Sequence, residues 1–127
     1  MEFTTGFTVI SDEQELSFAA EAGASGPARL AAFDQNLYEE AVEPWQRGEL
    51  IGEVSGTLVT THRGKAIVNV TFTIGEDAIV AHGVLPLDGS DLGNGRLAVT
   101  GGTGKFNKAA GTVDMETRNP KRWSFGL

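Results

Sequence analysis

Residues 66–74 alternate without a break. Ala66, Val68, Val70, Phe72 and Ile74 share one face, and Ile67, Asn69, Thr71 and Thr73 the other. A period of two puts successive side chains on opposite faces of an extended chain, so this run predicts a β-strand. Turn signals frame it, Arg63-Gly64-Lys65 before and Gly75-Glu76-Asp77 after. Weaker runs predict further strands over 14–22, 28–34, 50–63, 78–87, 96–100, 112–118 and 122–127. Residues 35–50 read as an irregular polar connection containing Tyr38, Trp45 and Gly48. Residues 1–12 carry Phe3, Phe7, Val9 and Ile10 without a clean period and read as an arm or lid, with a first strand as the alternative. About eight strands, joined mostly by short turns and with no helical period, predict an all-β fold. A closed antiparallel barrel is expected, because closure removes exposed strand edges; a two-sheet sandwich is the rival. The 127 residues suit one domain spanning 1–127.

The segment Leu97–Phe106, with Gly101, Gly102 and Gly104, followed by Ala109–Met115, reads as strand, glycine turn, strand. Glycines let the backbone reverse through positive φ without a Cβ clash. A phosphate loop fails on spacing. Val99 stands where a Walker motif needs its first glycine, and Phe106 follows Lys105 where a hydroxyl is required. A dinucleotide fingerprint fails too, with Asn107 in place of the third glycine.

Composition narrows the function classes. A formal charge of −7, with no basic run, argues against nucleic acid and anionic membrane surfaces as partners. The absence of cysteine removes thiol catalysis, disulfides and thiolate metal sites. No basic start with an apolar run marks a signal peptide and no ~20-residue apolar stretch a membrane helix, so a cytoplasmic protein is expected. His62 and His82 are the only histidines and form no ligand spacing, so no metal site is expected. A serine nucleophile would lack its Gly-x-Ser-x-Gly elbow. His82 is the leading polar candidate. Val80 and Val84 share its strand face, and an imidazole there suits a donor to a carbonyl or an acid near neutral pH.

Two blocks carry a family resemblance. Phe33-Asp34-Gln35-Asn36-Leu37-Tyr38-Glu39-Glu40, followed by Leu50-Ile51-Gly52-Glu53 and Ser55-Gly56-Thr57, is one. The hairpin Gly101–Val113 is the other. In order and spacing they resemble the allene oxide cyclase and dirigent β-barrel superfamily, and in size the small bacterial spirotetronate-type polyketide cyclases. The insertion Ala41–Gly48 departs from that pattern. The resemblance implies a barrel enclosing a small hydrophobic substrate. It implies a cofactor-independent intramolecular ring closure of a linear polyketide-type intermediate, [4+2] cycloaddition included, and a homodimer or homotrimer. A lipocalin-like or dirigent-like binder without catalysis is the alternative. Such a closure needs orientation more than acid–base chemistry, and therefore an apolar lining. Phe18, Phe33, Val70, Phe72 and Val84 are candidates for it, as are Leu97, Met115, Trp123 and Phe125. Glu21 lies near the place where allene oxide cyclases keep a glutamate, and Tyr38, the only tyrosine, is placed to orient a substrate oxygen. Few large aromatics are available beyond these.

Overall fold

The computed structural model describes residues 6–12, 17–18, 29–43, 46–61, 63–88, 91–117 and 121–127. They form ten strands: β1 (Gly6–Ser11), β2 (Ser17–Phe18), β3 (Leu30–Glu40), β4 (Arg47–Thr60), β5 (Lys65–Ile74), β6 (Asp77–Asp88), β7 (Asp91–Leu92), β8 (Gly95–Gly102), β9 (Gly111–Glu116) and β10 (Lys121–Gly126). Eight of them close into an antiparallel barrel in the order β1-β10-β9-β8-β6-β5-β4-β3, with β3 returning to β1. β2 adds to β3, and β7 to β6. Among the described residues a single 3-10 turn, Gly104–Phe106, interrupts the β pattern, and no helix is long and apolar enough to cross a membrane.

Gly6–Ser11 is a wall strand rather than the arm or lid expected for residues 1–12. It pairs with β10 along its whole length and with β3 at Val9–Ser11, and so closes the barrel. The polar connection expected over 35–50 is also mostly strand. β3 runs on to Glu40 and β4 begins at Arg47, with bulges near Tyr38 absorbing the irregular register. Only the short segment between them remains as the connection.

Each strand turns one face inward. β5 contributes Ala66, Val68, Val70, Phe72 and Ile74, all buried, as its alternation demands. Around the wall the inward set continues through Leu37, Val54, Leu58, Ile79, Leu85, Leu97 and Val113. Phe72 lies edge-on to Trp123, ring centroids 5.1 Å apart, and to Phe125 at 4.8 Å, while Phe7 stacks on Phe125 at 4.6 Å. These T-shaped and offset contacts suit the ring quadrupoles and form the centre of the core.

The two ends of the barrel differ. At the end where β1 begins and β10 finishes, the glycine hairpin folds back onto the start of β6. Thr103 N–H donates to the Ala78 carbonyl at 2.9 Å, and Ala78 N–H donates to Thr103 Oγ1 at 3.0 Å. Lys105 N–H donates to Asp77 Oδ2, and Phe106 tucks into the core. The hairpin is architectural. At the opposite end the wall is uneven. Ser11 pairs with Leu37, so residues 30–36 of β3 run on past the end of β1. The wall from β3 to β6 is thus long, with strands of 10–14 residues, and β1, β9 and β10 form a short one of six-residue strands.

Candidate functional site

Among the described residues, buried polarity beside the aromatic core gathers on the inward face of the short wall. The fully or nearly buried polar side chains among the described residues are Ser11, Thr60 and Lys121. All three stand at strand termini at the same end of the barrel: Thr60 ends β4 on the long wall, and on the short one Ser11 ends β1 and Lys121 begins β10. Ser11 and Lys121 are register partners, both with no exposed surface. Directly opposed residues on one face of a sheet have Cβ atoms about 5 Å apart, so the hydroxyl and the ammonium stem leave the wall side by side. One step further in, Trp123 Nε1–H donates to Ser11 Oγ at 2.9 Å. That hydroxyl accepts from the indole, so its own proton points away from Trp123. The local sequence explains the placement, since Lys121, Trp123 and Phe125 share the inward phase of β10.

The expected lining residues fall into three groups. Phe33, Val70, Phe72, Leu97, Met115, Trp123 and Phe125 face the interior and are buried. Val84 does not. It stands on the outside of β6, 52% exposed. Phe18 lies in β2, but its side chain and all of Glu21 fall outside the described residues, as do Trp45 and His62.

His82 is likewise on the outer wall, exposed, rather than on a buried face with Val80 and Val84. Its Nδ1 lies 2.7 Å from Asn69 Oδ1 on β5; the amide oxygen can only accept, so Nδ1 carries the proton. The inward residues of β6 are Ile79, Ala81, Gly83 and Leu85, because they pair with inward residues of β5: Phe72↔Ile79, Val70↔Ala81, Val68↔Gly83 and Ala66↔Leu85. Tyr38 is on the outer wall as well, half-buried. Asn36 Nδ2 donates to its hydroxyl at 3.4 Å, and the Arg47 guanidinium covers its ring at 5.2 Å while pairing with Asp12 at 2.8 Å. Neither His82 nor Tyr38 reaches the interior.

Two arginines brace the outside of the short wall with ion pairs. Arg96 and Asp114 are opposed across β8 and β9, and the Arg96 guanidinium holds the Asp114 carboxyl below the usual carboxylate range. Arg122 reaches across β1 to Glu40 with two hydrogen bonds, 2.7 and 3.1 Å, and also meets Glu116 at 3.4 Å; the Glu40 contact raises the guanidinium further above its ordinary value. This contact ties β10 to β3. Glu40→Gln is expected to cost about 1 kcal/mol, read as a lower urea midpoint with an unchanged slope, because it weakens a charge-assisted pair that is only partly shielded from water.

Open grooves formed by described residues lie on the outer wall. One of about 410 Å³ runs along Ala32, Ser55, Thr57, Asn69, Thr71 and Val80, and another of about 490 Å³ lies between Arg96 and Glu116. No three His, Asp or Glu side chains come together as a metal site among the described residues.

A closed eight-strand antiparallel barrel with an apolar bore and polar groups gathered at one end defines the class of this protein. The chain belongs to the dirigent-like protein family, whose family model matches residues 4–124. Two solved structures share the fold. A pyocyanin demethylase is 16% identical with a TM-score of 0.71, over 94% of this chain and 96% of its own. A pterocarpan synthase dirigent protein is 17% identical with a TM-score of 0.60, over 94% of this chain and 78% of its own. No curated protein matches the sequence significantly.

Proposed function

We propose that this chain binds a small, largely apolar organic molecule at the uneven end of the barrel and directs its intramolecular ring closure without a cofactor. The observation that carries the reading is the character of the inward surface. It is apolar around the Phe72–Trp123–Phe125 cluster, and its buried polar groups among the described residues are a serine, a threonine and a lysine at one end. That surface is suited to holding a flexible chain in one folded conformation, and orientation of that kind can remove about 7–11 kcal/mol from a barrier. The two structural relatives are named for pyocyanin and for a pterocarpan, each a small organic molecule. A linear polyketide-type substrate, and [4+2] closure in the manner of the spirotetronate cyclases, are the finer form of the proposal.

The second reading, a barrel that binds without catalysing, is favoured by Lys121 being the one buried titratable side chain among the described residues. One experiment separates the two. The gene is deleted in its source organism, the compound that accumulates is isolated, and purified protein is added to it. A cyclase returns an isomer of equal mass and altered skeleton, with one stereoisomer in excess over the uncatalysed background. Retention of the compound with its skeleton unchanged, or no excess of one isomer, defeats the cyclase reading.

A further inference from the structure

We infer that the outer face of the long wall is a contact surface for a second copy of this chain, and that two copies meet there about a two-fold axis, the apolar ridge of each seated in the groove of the other. The inference concerns the outside of the barrel and does not depend on what the bore holds. It starts from register. Leu30 opposes Val59, Val59 opposes Ile67 and Ile67 opposes Val84, so four large aliphatic side chains stand in one row across β3, β4, β5 and β6. All four point outward and are 40–52% exposed. At a strand spacing of about 4.8 Å the row is a continuous ridge about 14 Å long. Single exposed aliphatics are ordinary, whereas a row of neighbours marks a contact surface.

Shape names the occupant. The groove of about 410 Å³ runs parallel to the ridge on the same face. It lies between the row Ala32, Thr57, Asn69 and the row Ser55, Thr71, Val80. Rows two residues apart along a strand are separated by about 7 Å, which places the groove about 10 Å from the ridge. A two-fold axis parallel to both and midway between them turns each ridge into the other copy's groove, the self-matching that an isologous contact requires. Charge agrees. The ridge and the row beside it, from Ala32 to His82, hold no carboxylate, lysine or arginine. Copies of a chain with a net charge of −7 repel one another, and here they meet over neutral ground. Arg96 with Asp114, and Arg122 with Glu40 and Glu116, lie on the short wall instead. Extent sets the strength. Three rows over four strands, with the reach of their side chains, cover on the order of 500 Å² per copy, or about 1,000 Å² in all, the lower limit for a specific interface. A micromolar dimer is the consequence.

Sedimentation velocity of the full chain from about 1 to 200 µM tests this, a range that brackets micromolar association. Wild type is expected to pass from monomer to dimer with no larger species. Ile67→Lys, in the ridge, and Thr57→Arg, in the groove, should each weaken association about tenfold or more, because each carries an unpaired charge into the contact. Both positions are exposed in the single chain, so neither change enters the core. Both also reduce the net negative charge, so weaker association cannot come from repulsion between copies. Val42→Lys makes the same charge change at an exposed aliphatic beyond the far end of β3, and should leave association as in wild type. A wild type that stays monomeric throughout overturns the inference; if that monomer sediments with phosphatidylcholine vesicles, the face belongs to lipid instead. A trimer, or a dimer that Ile67→Lys and Thr57→Arg leave intact, overturns it as well. The wild-type series needs no variant, so it decides the matter even where a variant does not fold.

Discussion

Trp123→Ala is expected to destabilise the protein by about 3–5 kcal/mol, lowering the melting temperature by roughly 10–20 °C. The indole is completely buried, packs edge-on against Phe72 and donates to Ser11, so truncation opens a large cavity and removes a buried hydrogen bond together. Few domains have more than about 15 kcal/mol to lose. Trp123→Phe separates the two effects. It keeps most of the ring volume and removes the donor, and should cost about 1–3 kcal/mol. Differential scanning calorimetry reads both. A loss below 1 kcal/mol for Trp123→Ala contradicts the packing described here. Where the variant remains folded at low temperature, the cyclase reading adds a consequence: space for wrong folded conformers should erode the stereochemical excess of the product.

Gly104→Ala is expected to cost about 2–3 kcal/mol, although the position is exposed and touches no core residue through a side chain of its own. Gly104 has φ of +54°, a left-handed conformation that a Cβ disfavours. The added Cβ would also land on the Asp77 carboxylate, displacing the group that accepts from Lys105 N–H. The hairpin carrying Phe106 into the core would therefore shift at its root. Chemical denaturation checks the magnitude. A neutral effect would show that the hairpin docks on β6 by some other route.

Much of the fold was legible because β5 has one apolar and one largely polar face. The phase of β6 was not, because Ile79, Val80, Ala81, Val84 and Leu85 make both of its faces apolar. The signal that resolves it was present nonetheless. A two-residue Gly75-Glu76 turn pairs Ile74 with Asp77, and counting back sets Phe72 opposite Ile79 and turns His82 outward. The second half of β3, beyond Asp34, escaped for the opposite reason. Gln35 and Glu39 occupy positions in phase with Phe33 and Leu37, so the alternation looked like a polar connection. Lys121 was missed because a lysine after a proline reads as a surface turn, although Trp123 and Phe125 two and four residues on give its phase. The candidate site suffered more than the fold, since a single inverted strand sends every functional side chain on it to the wrong side of the wall.

The proposed function requires the guest to lie inside the barrel at the end of the short wall, not on the groove and His82 face outside. Amide and indole chemical-shift mapping of the isotope-labelled protein, titrated with the neutral probe naphthalene-1-acetamide, tests that placement without relying on the charge of the ligand. The predicted result is a progressive shift of the Trp123 indole N–H and of the Ser11 and Lys121 amides, with His82, Asn69 and Thr71 unmoved. Shifts confined to His82, Asn69 and the outer face of β4 and β5, with the Trp123 indole unchanged, would contradict it.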